Sequence, residues 1–547
     1  MQKRNNIALL GLTIIMMFNR CAQIGPLSGG DRDVTPPKLK EALPANKSTN
    51  FHEQDIVLKF DEYIKLNDAA NQINILPQMK LRPEFEVQGK TLKIKLLQQM
   101  FDPGVTYRID FGKSIADMHE GNVLENFAYV FSTGAFIDTL RLGGNVTSAF
   151  NNKPMAGMSV FLYQNIQWFD SLIYKTKAAY VVKTNNNGDF VFNNLSPSRY
   201  LVYAVDDRNK NNVYDGEGEQ IALLGPPMDL MMDTTVDLKM FKEESAKNYI
   251  KRTNMSNYGL GQIIFNKPTS AIVSAMKAEQ RSNLLFAAQK RLSDTLTFYY
   301  KNIQDTITML VQLDKTAKTD TLKLMVPKKP DLKSYRLAVS MNEDQGKLPY
   351  KKNAVLSFMN WMDTSAIKFK NMHLSSKSDS SLNTPEIKGK WINPYQLELI
   401  MPLKEGLLYQ LKIDRGAFSN MEGMQNDSLK FQFKTYSKSD FGKFNLKLSV
   451  TRQQNYVLHL LNEREELVQE AVLPYAAFKA GLATIAFNDL LPGVYLVKII
   501  FDNNENKKWD RGDVNISRLP EPVIISRKRI KVVADWETEE QISLGEK

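Results

Sequence analysis

The chain repeats itself. The stretch FNNLSPSRYLVYAVDDRNKNNVYD, which begins at Phe192, lies without a gap over FNDLLPGVYLVKIIFDNNENKKWD, which begins at Phe487. At this offset Leu195, Pro197 and Tyr200 meet Leu490, Pro492 and Tyr495. Whatever the first stretch folds into must therefore be built twice. A second offset covers an earlier region. There Gly104, Tyr107 and Gly121 fall on Gly406, Tyr409 and Gly423. Phe127, Tyr129, Phe131 and Thr133 fall on Leu429, Phe431, Phe433 and Thr435. A pair of modules thus occurs twice, with residues 243–347 between the copies.

The hydrophobic period says what kind of module this is. DIVLKFDEYIKL places Ile56, Leu58 and Phe60 on one face, and KTLKIKLL does the same with Leu92, Ile94 and Leu96. Period two means half-buried strands. Such strands recur with turn residues between them, which is the pattern of an antiparallel β-sandwich. In NGDFVFNNLSPSRYLVYAVDD, Phe190 and Phe192 point inward, Leu195 and Pro197 end a strand, and Tyr200 and Val202 start the next. The middle region contains LTFYYKN, ITMLVQL and TLKLMVP, again strand-like. TSAIVSAMKAEQRSNLLFAAQKR is its one stretch that suggests a short helix. The expected fold class is all-β. With 547 residues and 43% hydrophobic content, the chain can fill several separate cores.

Directly after the strand that holds Tyr200, acids and amides alternate: Asp207, Asn209, Asn211, then Asp215. The second copy repeats them as Asp502, Asn504, Asn506 and Asp510, with Asp513 at the twelfth position. Side chains on alternate residues of a tight loop can turn their oxygens inward, and calcium takes six to eight oxygen ligands. Both loops are therefore candidate structural calcium sites. Asn212 and Lys507 stand where an EF-hand has glycine, so neither loop is a true EF-hand. The alternative is a metal-free turn whose side chains bond their own backbone.

Other chemistry is scarce. The four histidines, His52, His119, His373 and His459, show no metal-binding spacing, and DMHE reads as a polar turn before Gly121. FGKS lacks the earlier glycine of a phosphate loop, because Tyr107 stands there. There is no G-x-S-x-G and no dinucleotide fingerprint. The net charge of +11 arises from 71 basic and 60 acidic residues in mixture. Only RKRIK, Arg527 to Lys531, is a basic run, and its alternation fits the wet face of a strand; no nucleic-acid partner is expected.

The single cysteine, Cys21, excludes an intramolecular disulfide. It follows Lys3, Arg4 and an apolar run from Ile7 to Phe18, the layout of a secretory signal. A cysteine in that place resembles a bacterial lipoprotein signal, although Asn19 and Arg20 replace the usual small residues. Acylation at Cys21 would anchor the chain by burying methylenes, at about 0.8 kcal/mol each. AQIGPLSGGDRDVTPP then reads as an extended tether.

That opening, with Cys21, Ala22, Pro26, Gly29, Gly30, Asp33, Pro36 and Pro37, resembles a family of Bacteroidetes-type Ig-like outer-membrane lipoproteins. The strand motif Phe60, Asp61, Glu62 and Tyr63 is similar to that family's first, bacterial Ig-like sandwich. Gly188, Phe190, Leu195, Pro197 and Tyr200 resemble the transthyretin-like or carboxypeptidase-regulatory sandwiches. The resemblance covers residues 20–225. The organisation it implies, extended by the internal repeat, is a signal peptide at 1–20 and a tether at 21–37. An Ig-like sandwich at 38–136 and a transthyretin-like sandwich at 137–242 follow. After the β-rich middle domain at 243–347 come a second Ig-like sandwich at 348–437 and a second transthyretin-like one at 438–547. The resemblance also implies location at the outer membrane, on its outer face, as an accessory scaffold of a β-barrel complex for assembly or secretion, with other lipoproteins. The competing expectations are a surface adhesin or glycan-binding lipoprotein, and a hydrolase hidden among unmarked carboxylates.

Overall fold

The computed structural model describes residues 33–545 except 98–100, 165–171, 246, 287–292, 314–318, 330–336, 344, 349–350, 377–385 and 453. The signal, Cys21 and the tether up to residue 32 lie outside the described residues. The chain is almost entirely β-structure, a string of Ig-like and transthyretin-like sandwiches with a duplicated two-domain unit. It divides into two compact units. One holds the described residues up to Val146 with Met155–Tyr214 and Pro226–Leu238. The other holds Thr147–Pro154, Asp215–Gly225 and everything from Lys239 onward.

In the first unit, strands Leu39–Leu43, Asp55–Phe60, Thr91–Lys95 and Glu84–Gln88 lie side by side in that order. Their alternation works as the sequence suggests. Ile56, Leu58, Leu92, Ile94 and Leu96 are fully buried, while Lys59–Glu41, Lys93–Asp55 and Lys95–Glu86 pair on the wet face. A second sheet of Asn74–Leu76, Thr106–Asp110 and Ala128–Ser132 shares this core. The rings of Phe51, Phe101, Tyr107 and Phe131 fill one end, with Phe101 centred 5.9 Å from Phe51 and 5.6 Å from Phe131.

The following module pairs Leu140–Ser148 with Asp189–Leu195, and sets Ser159–Gln164 between Tyr180–Lys183 and Ser198–Val205. Here simple alternation fails. Tyr200 and Val202 are buried, but so are Leu201 and Tyr203. The strand is buried on both faces; on one of them Tyr163 of the neighbouring strand packs edge-on to Tyr203 and donates its hydroxyl to the Thr176 carbonyl, just after the one-turn helix Leu172–Lys175. A strand covered on both sides reads as a continuous apolar run. Opposite Phe190 stands Gly144, where a Cβ would meet the Phe190 ring at 2.6 Å and the Val236 carbonyl at 2.2 Å.

The second unit rebuilds these registers. Thr106↔Ser132 and Tyr107↔Phe131 in the first copy become Leu408↔Lys434 and Tyr409↔Phe433 in the second. Each Tyr–Phe pair is stacked, at 5.3 and 5.8 Å. In the transthyretin-like module, Leu142↔Phe192 becomes Phe444↔Phe487. Even the irregularity is copied: Leu140 pairs with Leu195 before the bulge, and Gly442 with Leu490. Side chains have diverged on this frame. The buried Tyr203 is replaced by Lys498, whose ammonium is 3.5 Å from the centroid of the Phe150 ring. Burial pushes the Lys498 pKa down.

Residues from 250 to 325 form two sheets. One is Ile250–Asn257, Leu260–Thr269, Ser293–Tyr300 and Leu284–Phe286; the other is Ala271–Ala275, Thr306–Leu313 and Thr319–Met325. Among the described residues the expected short helix is a single turn, Ala278–Arg281. Pairing of Ala271–Ala275 with Thr306–Leu313 overrides helix propensity there, and Ile272 and Val273 suit a strand. RKRIK also departs from expectation: Arg527, Lys528 and Arg529 precede strand Ile530–Val532, so only Lys531 lies on a strand's wet face. The second Ig-like core gathers residues from Leu337 to Phe433, and its strand Val339–Met341 pairs with Ala354–Phe358.

Truncating either Phe192 or Phe487 empties the same place in two sandwiches. Each Phe→Ala variant is expected to lose about 3–5 kcal/mol, read from its urea unfolding midpoint.

Candidate functional site

Both loops leave a central, buried strand, and both are organised by their first aspartate. Asp207 accepts the backbone N–H of Asn211 on one carboxylate oxygen (3.1 Å) and that of Asn212 on the other (3.0 Å). Asp502 does the same for Asn506 and Lys507, each at 3.0 Å. The amides continue the pattern. Asn209 accepts from the Asn211 N–H and Asn211 from that of Val213; Asn504 accepts from Asn506, and Asn506 from Lys508. Lys210 and Asn212 have φ of 59° and 61°, and Glu505 and Lys507 have 62° and 65°. The left-handed residue that an EF-hand provides as glycine is thus provided here by Asn212 and Lys507, at some steric cost. The Asp207 and Asp502 carboxylates, almost wholly buried, hold the turn in place.

The later acids behave differently. The Asp510 carboxylate accepts the side-chain amides of Asn504 and Asn506, the latter at 2.6 Å. Asp513 lies outside this network: it exchanges backbone bonds with Arg518, and its carboxylate accepts the N–H of Asn515. In the other copy, the Asp215 N–H donates to Glu219 at 3.0 Å.

Glu219 and Glu521 are residues that the alternation did not reveal. Glu521 accepts the N–H groups of Asn503 (2.7 Å) and Asp510 (3.0 Å), closing both ends of the loop, and its own N–H bonds the Asp510 carbonyl. Trp509 donates its indole N–H to the Glu521 carbonyl at 3.0 Å. The signal was available: Glu219 and Glu521 correspond at the offset that aligns the Ig-like modules, not at the one that aligns the loops. Burial raises the Glu521 pKa, and the charges of Asp510 and Asp502 push the same way.

All the side-chain acceptors are oxygens, the chemistry a hard cation takes. In the second loop, the Asn504 and Asn506 amides present N–H groups to Asp510, so coordination there requires both to turn their oxygens inward. Among the described residues, no three His, Cys, Asp or Glu side chains are grouped as a metal centre. DMHE is the turn expected: the buried Asp117 accepts the N–H groups of Glu120, Gly121 and Asn122. No helix among the described residues is long and apolar enough to cross a membrane.

Residues 33–133 match the bacterial Ig-like domain family. Among solved structures, the chain is similar to BcpA, the major pilin subunit of Bacillus cereus, with 11% identity over 74% of this chain and 99% of that one (TM-score 0.15). It is similar to domains 1–6 of the surface layer protein SbsC, with 10% identity over 90% of this chain and 67% of that one (TM-score 0.14). A DUF3823 family protein from Bacteroides uniformis shares 10% identity over 35% of this chain and all of its own (TM-score 0.12). No curated protein sequence matches.

The raised Glu521 pKa has a direction that can be measured. The folded state holds this proton more tightly than the unfolded chain. Its favourable contribution is present below the ordinary value of 4.5 and is lost as pH rises through the folded value. Stability measured by denaturant between pH 4 and 7 is expected to fall more steeply in the native chain than in Glu521→Gln.

Proposed function

We propose that this chain is a lipoprotein, acylated at Cys21 and held at the outer membrane, on the cell surface. It acts as a non-catalytic scaffold, an accessory subunit of an outer-membrane β-barrel complex. The observation that carries the scaffold reading is a fastening repeated in both copies. Asn194 and Asp489 occupy the same bulge position with positive φ. Asn194 accepts a bond from Arg108 at 3.1 Å and donates to the Asp138 carbonyl at 2.8 Å. Asp489 faces Lys351 at 3.6 Å. In each copy this bulge residue contributes a tie between the module and the sandwich before it. Sandwiches fastened to the next module in the chain suit a part that spaces and positions others. The lipid anchor rests on the resemblance around Cys21.

Purification of the native protein in mild detergent is expected to give an N-terminally acylated Cys21 by mass spectrometry, together with a co-eluting β-barrel protein. An unacylated protein would remove the anchor. An acylated protein with no barrel partner that binds immobilised polysaccharide would favour the glycan-binding reading.

Calcium has a structural place in this proposal, held by Asp207, Asn209, Asn211 and Asp215 in one copy and by Asp502, Asn504, Asn506 and Asp510 in the other. The oxygen-only side-chain donors support it. Added calcium is expected to raise the melting temperature of the native chain. Asp207→Ala and Asp502→Ala should each lose part of that response, and about 1–3 kcal/mol of stability without calcium, because two buried N–H groups lose their acceptor.

A further inference from the structure

One corner of the two Ig-like sandwiches has diverged while its backbone has not. In the first copy, the Asp102 N–H donates to the Tyr107 hydroxyl at 3.2 Å, and Thr133 donates to the Asp102 carbonyl at 2.8 Å. In the second, the Lys404 N–H donates to the Tyr409 hydroxyl at 2.7 Å, and Thr435 donates to the Lys404 carbonyl at 2.6 Å. The loop is hung from the same two hooks in both. Its side chains are different. Phe101 and Asp102 of the first copy are Leu403 and Lys404 in the second, and Gly134 is Tyr436.

The two corners are therefore lined differently. In the first copy, the Phe101 ring packs among Phe51, Tyr107 and Phe131. In the second there is a cavity of about 310 Å³. Its floor is apolar, made by the buried Leu348, Met401 and Tyr436. Its rim carries Lys351, Lys352 and Lys404 against the single carboxylate of Glu405. Asp489 faces Lys351 from the next module, but both groups are well exposed, so the pair neutralises the rim only weakly. Lys347 lies over the Tyr436 ring, 4.7 Å from its centroid, but its charge is paired with Asp440 at 3.9 Å, so the rim lysines carry the positive charge at the cavity.

A cavity of this size falls at the small end of ligand pockets, which join an apolar body to a few placed polar groups. We propose that it is a binding site for a small amphiphilic anion. A phosphate or carboxylate head would meet the lysine rim, and a short apolar body would enter the floor. The head can belong to a soluble metabolite or to a lipid.

Two variants separate charge from shape. Lys404→Asp restores the first copy's acid at the rim. Leu403→Phe restores its ring in the floor and leaves every charge in place. Both residues are already tolerated on this backbone in the first sandwich. The probe is phenyl phosphate, followed by calorimetry on the full chain, with benzyl alcohol as the neutral control. Phenyl phosphate is expected to bind the native chain; Lys404→Asp should weaken it by roughly ten- to a hundredfold, the worth of one charged hydrogen bond, and Leu403→Phe should weaken it by occupying the space of the apolar body. Vesicles containing phosphatidic acid form the second arm. Capture by these and not by phosphatidylcholine vesicles, lost in both variants, assigns the head to a lipid. Binding of phenyl phosphate without such capture assigns it to a soluble ligand. The proposal is overturned if neither probe binds, if benzyl alcohol binds as well as phenyl phosphate, or if the variants bind like the native chain.

Discussion

The first Ig-like sandwich is held by apolar side chains that one face of each strand supplies. With a single cysteine in the whole chain, no internal covalent bridge assists them. A sheet in this situation is committed to its register, because a slip by one residue would turn its buried set outward. Ile56, Leu58, Leu92 and Ile94 illustrate the constraint: all are fully buried, and the intervening lysines and acids form pairs in water. Everything else in the molecule, loops, fastenings and cavity, hangs from strands fixed in this way.

This constraint explains what could be read directly from the sequence. Period two located the inward faces of the first sandwich, and the internal repeat correctly implied two sandwiches of the same build. It failed where burial has no period. Leu201 and Tyr203 lie on a strand covered on both sides, so alternation misread one of its faces. Ala271–Ala275 lies in a stretch expected to be helical, but pairing with Thr306–Leu313 made it a strand and left one helical turn at Ala278–Arg281. In the candidate loops, the alternating Asp and Asn residues were legible because local hydrogen bonds need local spacing. Glu521 was not, since its carboxylate arrives eleven residues after Asp510.

The two copies also show where a duplicated fold is free to change. Backbone hooks such as Tyr107 and Tyr409, or Thr133 and Thr435, have been kept. The residues that those hooks merely position have moved from ring to aliphatic and from acid to base. Likewise a tyrosine at the centre of one transthyretin-like module is a lysine under a phenylalanine ring in the other. The frame is common, and the chemistry at its ends is particular to each copy.

Two sandwiches with matching registers on one chain create a folding hazard, since a strand from either copy could join the wrong sheet. Gly144 gives one means of discrimination. The Phe190 ring occupies the space where any side chain on the partner strand would begin, so it fits only opposite a glycine. The equivalent position in the other sheet is Leu446, paired with Ile485. A crossed pairing would drive an aromatic ring into a leucine and leave an isoleucine facing a gap. The bare position thus makes the two sheets sterically non-interchangeable at this pair.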